Sequence, residues 1–291
     1  MINEVVENFR SLESREFRVL RAIERGMRDY DFPPVSFIAN IANLPEDETR
    51  YRISRLNKFE LVERKKIGED RFRLNFNGYD SLALKKLVDS DTIDSIGGEA
   101  GRGKESDVQL AKKNDQEVII KFHREGKVNF RKIKKMRDYL EDREHYSWMF
   151  VSNLAAKNEY KTLKNIYKKL DVPIPFDWDR HAIVMEKVPG NELIKTKLTK
   201  KDADFVFDYL IEEVKKAYSL GYIHADLSEY NVMVSEERIS LIDWPQSVTL
   251  DHPNHESLLK RDITNLCNYF NRKYKLEKEP KHYIKKIKDI N

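Results

Sequence analysis

Lys121, Asp226, Asn231 and Asp243 are the residues whose types and spacing suit a definite chemistry, Mg²⁺-assisted transfer of a phosphoryl group from ATP. Asp226 and Asn231 fall in the run His224-Ala225-Asp226-Leu227-Ser228-Glu229-Tyr230-Asn231. Beyond it, Val232 to Val234 and Ile239 to Ile242 read as antiparallel strands joined by a turn over Ser235 to Arg238. Pairing Val234 with Ile239 or Ser240 sets Asn231 opposite Ile242 or Asp243. An amide oxygen and a carboxylate then lie together, the hard-oxygen donors that Mg²⁺ takes when it bridges nucleotide phosphates. Asp226, just before the hairpin, is placed to orient or deprotonate the attacking group. Lys121 lies inside the apolar strand Val118-Ile119-Ile120-Lys121-Phe122, where a charge must be paired, and its role would be to hold the phosphates.

Other elements must position these four. A helix from Leu154 to Leu170 places Ala156, Glu159, Leu163, Ile166 and Leu170 on one face, so Glu159 interrupts an apolar stripe and can pair Lys121. A glycine-rich turn between strands, from Gly97 to Ser106, offers backbone N–H groups to phosphate, with Gly103, Lys104 and Ser106 as contacts. It lacks both a Walker A motif and the third glycine of a kinase loop. A strand over Ile183 to Val188 runs into Pro189-Gly190, as a kinase hinge would, giving Met185 at the back of an adenine pocket and Glu186 and Val188 as adenine contacts. His224 fits a structural hydrogen bond better than proton transfer. Any single feature has a bland reading: a snorkelling lysine, a tight turn, a polar hairpin with chance acids. Coincidence must instead supply the glycine loop, Lys121, Glu159, Asp226, Asn231 and Asp243 in kinase order.

The first ~90 residues read as three helices and two strands. Phe17, Leu20, Ile23 and Met27 stripe the first helix, which Asp31, Pro33 and Pro34 end; Val35 to Ala42 is the second, and Pro45 with Glu46, Asp47 and Glu48 starts the third. Leu61 to Lys65 and Arg71 to Leu74 then pair through Gly68, Glu69 and Asp70, completing a winged helix. Arg50, Arg52, Arg55 and Lys58, with Lys65, Lys66, Arg71 and Arg73 of the wing, could face a phosphate backbone, or form a solvated face on a protein-docking module.

The net charge of +4 over 291 residues is too small for bulk adhesion to nucleic acid, so any such role falls to local patches: residues 50–73 and 121–143 each hold nine Lys/Arg against four Asp/Glu. A single cysteine, Cys267, excludes an internal disulfide framework and fits inert core packing. Acidic Glu4 and Glu7 sit where a signal peptide would be basic, and no run approaches ~20 apolar residues, so a cytoplasmic protein without membrane contact is expected. Cys267 and the tail from Arg272 carry no chemistry; the tail reads as an amphipathic surface helix.

The sequence resembles the RIO family of atypical kinases through Gly101-Arg102-Gly103-Lys104-Glu105-Ser106, Ile223-His224-Ala225-Asp226-Leu227-Ser228-Glu229-Tyr230-Asn231 and Leu241-Ile242-Asp243-Trp244-Pro245-Gln246. The leading winged helix points to the branch that carries one. The resemblance implies an α+β chain, with a winged helix over 1–90 and a minimal bilobal kinase-like domain over 91–291, its lobes about 91–185 and 189–291. It implies ATP with Mg²⁺, or Mn²⁺ in its place, autophosphorylation, and action as kinase or ATPase in maturation of the small ribosomal subunit. The partner would be that subunit's precursor, through rRNA or ribosomal proteins. Ser106 would contact phosphate in place of the third glycine, and residues 123–152 would form a flexible, partly disordered loop. Trp244-Pro245 stands where Phe-Gly is usual and no Ala-Pro-Glu segment follows, which argues against peptide substrates. The resemblance also allows Asp243 to accept phosphate transiently, as an ATPase-driven switch would. Two other readings stay open: a small-molecule phosphotransferase, and a nucleotide-gated winged-helix regulator that binds nucleic acid without turnover.

Overall fold

The computed structural model describes residues 2–103, 105–124 and 144–289; Lys104 and most of the expected flexible loop lie outside the described residues. The chain forms two compact units, one of residues 1–156 with 177–184 and the other of residues 157–176 with 185–291.

The first unit begins with helices α1 (Ile2–Phe9), α2 (Ser14–Gly26), α3 (Val35–Ala42) and α4 (Glu46–Lys58), the hairpin β1 (Val62–Ile67) with β2 (Glu69–Leu74), and α5 (Phe76–Asp89). The expected stripe is the core: Phe17, Leu20, Ile23 and Met27 are buried with Ile38, Ile53, Leu56, Leu74 and Leu82. Glu13 and Glu16 close a capping box on α2. Both acids also reach α4, where Arg52 lies 2.7 Å from Glu13 and Arg55 lies 3.0 Å from Glu16. Sequence spacing alone missed α1 and α5. The latter is capped by Asn75, whose side chain accepts the Gly78 N–H at 3.0 Å.

Beyond α5 come β3 (Ser95–Arg102), β4 (Ser106–Lys113) and β5 (Gln116–His123). With β6 (Pro175–Asp179) and β7 (Ala182–Glu186) they make a sheet of order β3-β4-β5-β7-β6, and the chain passes between the units within β6 and β7. The glycine cluster is therefore mostly strand. Its pairing with β4 is irregular between Ile96 and Glu99 and again between Glu99 and Gly101, and β3 ends only at Arg102. Helix α6 (Glu144–Ile166) begins ten residues before the expected Leu154 and stops at Ile166, so residues 144–152 are helical rather than part of a loop.

The second unit holds β8 (Asn191–Glu192), α7 (Lys200–Ser219), β9 (Tyr222–Ile223), β10 (Val232–Val234), β11 (Ile239–Leu241), β12 (Val248–Thr249), α8 (His255–Tyr274) and α9 (Pro280–Lys288). Its core packs Phe207, Leu210 and Ile211 of α7 with Ile263, Leu266 and Phe270 of α8. Cys267 is buried among them, and burial pushes its thiol up to about 11, as inert packing requires. The tail is α9, which buries Ile287 and pairs Lys286 with Glu212 at 2.6 Å.

Gly190, after the hinge-like strand, has φ +100°, and a Cβ there would stand 2.2 Å from the Val234 carbonyl oxygen. Gly190→Ala is expected to destabilise the second unit by at least ~2 kcal/mol, because it adds a backbone clash to a strained φ. Urea unfolding followed by circular dichroism would show it; an unchanged midpoint would mean that this approach is not part of the folded state.

Candidate active site

In the first unit, the Gly103 N–H bonds the Ser106 carbonyl at 2.8 Å and the Arg124 N–H bonds the Glu105 carbonyl at 2.7 Å, so both sides of the β3–β4 turn are tied down. Among the described residues other than the chain neighbours, no atom lies within 4 Å of where a Cβ would stand at Gly98 or Gly101, which leaves room for a close approach of phosphate to that backbone. Lys121 sits on β5 opposite Val108, 7% exposed, as its apolar flanks dictate.

The second unit carries the acids. Val234 pairs with Ile239, the first of the two registers considered, so Asn231 lies opposite Ile242, whose N–H bonds the Asn231 carbonyl at 3.0 Å. Asp243 follows at φ +70°, in the left-handed region that a non-glycine residue enters at a cost of roughly 1 kcal/mol. Its neighbours hold it there. Trp244, fully buried, donates its backbone N–H to Glu159 at 3.0 Å and its indole N–H to the Leu241 carbonyl at 3.1 Å. Pro245 and Ser247 offer their carbonyls to the Asn158 amide at 2.8 and 3.0 Å. His224 donates from Nε2 to the Ile242 carbonyl at 2.9 Å, the structural role that its neighbours predict. Glu159, which the sequence reading set beside Lys121, thus anchors the backbone immediately after Asp243.

Mg²⁺ fits this donor set. The Asn231 Nδ2 is committed to the Asp226 carbonyl at 2.8 Å, which leaves Oδ1 as a hard acceptor one register position from Asp243 across the hairpin. Among the described residues no group of three or more His, Cys, Asp or Glu could hold a metal. One amide and one carboxylate match an ion that keeps its waters and takes phosphate oxygens, rather than one caged wholly by protein.

Asp226 is exposed on a loop whose preceding residue, Ala225, has φ +63°. Three side chains of α8 pin that loop, and the sequence reading missed them. Asp262, buried, accepts the N–H of Ala225 at 2.7 Å and of Leu227 at 3.1 Å; Arg261 donates to the Ala225 carbonyl, and Asn265 to that of Leu227 at 3.1 Å. Burial pushes the Asp262 carboxyl up to about 7, against the two N–H donors that favour its charged form. The signal was there: Asp262 is a lone acid among Leu259, Ile263 and Leu266 on the buried face of α8. Asp262→Asn keeps one acceptor oxygen and loses the other bond, so kcat is expected to fall about tenfold with KM for ATP unchanged. A rise in KM at constant kcat would instead place Asp262 in substrate binding.

At the hinge-like strand Met185 is 3% exposed and Val188 half-buried. The Glu186 N–H bonds the Ile174 carbonyl at 2.9 Å and its carboxylate pairs with Arg238 at 2.6 Å, so both of these groups are already engaged. On the winged helix, Arg52 and Arg55 are spent on Glu13, Glu16 and Glu48, and Arg73 pairs with Glu63 at 2.7 Å and stacks on Phe32. Lys58, Lys65 and Lys66 stay exposed. The cationic face is narrower than the residue count implied.

The RIO domain family matches residues 107–283 and the Rio2 N-terminal family residues 9–90. The RIO-type serine/threonine-protein kinase Rio2 of Methanocaldococcus jannaschii is 42% identical over 259 residues, 87% of this chain and 94% of that one. The serine/threonine-protein kinase rio2 of Dictyostelium discoideum is 38% identical over 268 residues, 91% of this chain; the match spans about half, 51%, of that longer protein. The crystal structure of the Rio2 kinase-ADP/Mg²⁺-phosphoaspartate complex from Chaetomium thermophilum superposes with a TM-score of 0.84 at 29% identity, covering 98% of this chain and 90% of that one.

Proposed function

Because the chain belongs to the RIO family of serine/threonine kinases, in the branch that carries the Rio2 N-terminal domain, we propose a residue-level division of labour for its ATP-dependent phosphoryl transfer. Lys121 and the backbone of Gly103 to Ser106, with the Lys104 and Ser106 side chains, bind the phosphates of ATP. Glu159 pairs Lys121 and Met185, Glu186 and Val188 receive adenine. Asn231 and Asp243 hold Mg²⁺, or Mn²⁺ in its place. When bound, the ion offsets charge developing on the phosphate oxygens. Asp226 takes the proton of an attacking hydroxyl, or of the water that hydrolyses an acyl phosphate.

The observation that carries this reading is the hairpin register, which puts Asn231 opposite Ile242, beside an Asp243 held at φ +70°. Asp243 is also the transient acceptor: a carboxylate oxygen attacks the γ-phosphorus, the bond to the β-phosphate oxygen breaks, ADP leaves, and water later hydrolyses the acyl phosphate. The Chaetomium Rio2 kinase, solved as a phosphoaspartate complex with ADP and Mg²⁺, supports that chemistry. The physiological setting is maturation of the small ribosomal subunit in the cytoplasm, with the subunit precursor engaged through the winged helix and exposed lysines. No described helix is long and apolar enough to cross a membrane. Phosphate release from labelled ATP, with and without small ribosomal subunits, tests the reading; nucleotide binding without release under either condition would overturn it.

A further inference from the structure

A cavity of about 340 Å³ in the first unit, made of residues assigned no part in phosphoryl transfer, lies against α2, α5, α6 and the β6–β7 turn. Its aromatic lining is Tyr79, Phe150 and Trp178: Tyr79 is buried, Trp178 half-buried, and Phe150 is 38% exposed. The polar lining comes from Glu24, Arg28, Asn153, Asp179 and Arg180.

Arg180 organises it. This residue has φ +51°, at a turn position where Asn or Gly would sit without strain. Its fork grips both oxygens of Glu24 at 2.7 Å each while its other amine bonds Asp179, and the guanidinium lies 5.9 Å from the Tyr79 ring centre. A strained arginine bridging two acids is a costly way to make a turn, and its effect is to fix a wall.

Charge decides what the cavity can take. Two carboxylates and two guanidiniums line it, and Arg180 already bridges both acids, so neither a lone phosphate nor a cationic side chain meets an excess of opposite charge. The two partly exposed rings, Phe150 and Trp178, with an amide and fixed polar edges suit instead a neutral, flat, polar group; the buried Tyr79 ring is stacked on His181. Nucleobases splayed from single-stranded RNA are recognised in this way, by stacking on aromatic side chains and hydrogen bonds at the base edge. The volume lies within the range of small-ligand sites. We infer that the cavity receives one unstacked base of single-stranded RNA, stacked on Trp178 and Phe150 and read at its edge by Asn153 and Asp179. This rests on the proposed engagement of a ribosomal precursor, and gives its RNA component a definite contact.

The test is fluorescence anisotropy of a labelled single-stranded oligoribonucleotide titrated with the full chain, alongside ATP turnover of each variant. Trp178→Ala and Phe150→Ala are expected to weaken binding about tenfold each, as loss of a base-stacking side chain does. Trp178→Phe should recover most of the loss, and Phe205→Ala, at a residue 67% exposed in the second unit, should bind as the wild type. ATP turnover should be unchanged throughout. Wild-type affinity in both alanine variants overturns the inference, as does a wild-type protein that hydrolyses ATP and binds no oligoribonucleotide; the phosphoryl-transfer reading survives either result. Nucleoside 5′-monophosphates that compete as well as the oligoribonucleotide would overturn RNA as the source. Loss of turnover in the wild type, with RNA binding intact, would strike the enzyme reading and leave the cavity.

Discussion

Asp226→Asn is expected to lower the rate of phosphate release about 10²- to 10⁴-fold, the span that a positioned acid–base group contributes, while leaving nucleotide affinity nearly unchanged. The side chain is exposed, and its loop is held by main-chain bonds to Asp262, Arg261 and Asn265 that an asparagine at 226 does not touch. Asp243→Asn is expected to abolish turnover and also to weaken Mg²⁺-dependent nucleotide binding. Asparagine tolerates the left-handed backbone at φ +70° at least as well as aspartate, so the Trp244 anchor survives and the loss is chemical. The variants separate on a second readout: wild type incubated with γ-labelled ATP should carry label released by hydroxylamine, as acyl phosphates are. Asp243→Asn should carry none. Label persisting on Asp243→Asn would move the acceptor to another residue and sink the phosphoaspartate step, whereas full turnover by Asp226→Asn would remove its catalytic role.

Much of this was legible because the chemistry is local in sequence. Asp226, Asn231 and Asp243 fall within one loop and one hairpin, and period-two alternation fixes a hairpin's register once its turn is placed. The winged-helix core followed from the stripe of α2, and the exposed wing was marked by Gly68. What escaped was set by tertiary partners. The arginines of α4 read as a cationic face from spacing, yet Arg52 is 8% exposed because α2 presents Glu13 and Glu16 to it. The glycine cluster read as a turn because four missing side chains look like flexibility, yet Gly97, Gly98 and Gly101 lie in β3. In place they allow a bulged strand. The α8 anchors of the catalytic loop lie more than thirty residues downstream of it, where no spacing rule connects them.

Replacing Asp80 with alanine is expected to cost about 3–5 kcal/mol, the largest single loss of stability expected, because it strips a buried guanidinium of its two-bond partner and leaves it only the Asp107 carboxylate, on Nε at 2.8 Å. Asp80, on α5, is fully buried; Arg124 meets it with two bonds of 2.6 and 2.8 Å, and His181 donates from Nε2 at 2.6 Å. Exposed pairs such as Lys286 with Glu212 contribute only about 0–1 kcal/mol, so the ranking is not close. Burial alone would raise the Asp80 carboxyl, but Arg124 and then His181 overcome it and hold it down at about 2. Burial holds the His181 imidazole at about 4, neutral at physiological pH, which suits its buried Nδ1: no hydrogen-bond acceptor meets that nitrogen among the described residues. Both folded values lie below the unfolded ones of 6.5 and 3.8, so in each case the unfolded chain binds the extra proton. The histidine's contribution is therefore complete above pH 6.5 and lost as pH falls towards 4; the aspartate's is complete above 3.8 and lost towards 2. Thermal unfolding from pH 7.5 downwards should show the melting temperature dropping through both windows, and Asp80→Ala should melt roughly 10 °C lower at neutral pH, at a few degrees per kcal/mol, and lack the more acidic step. A wild-type melting temperature that stays flat from pH 7 to 4 would contradict the neutral, buried histidine, and an Asp80→Ala variant that melts with the wild type would show that Asp107 and water suffice for the Arg124 charge when Asp80 is gone.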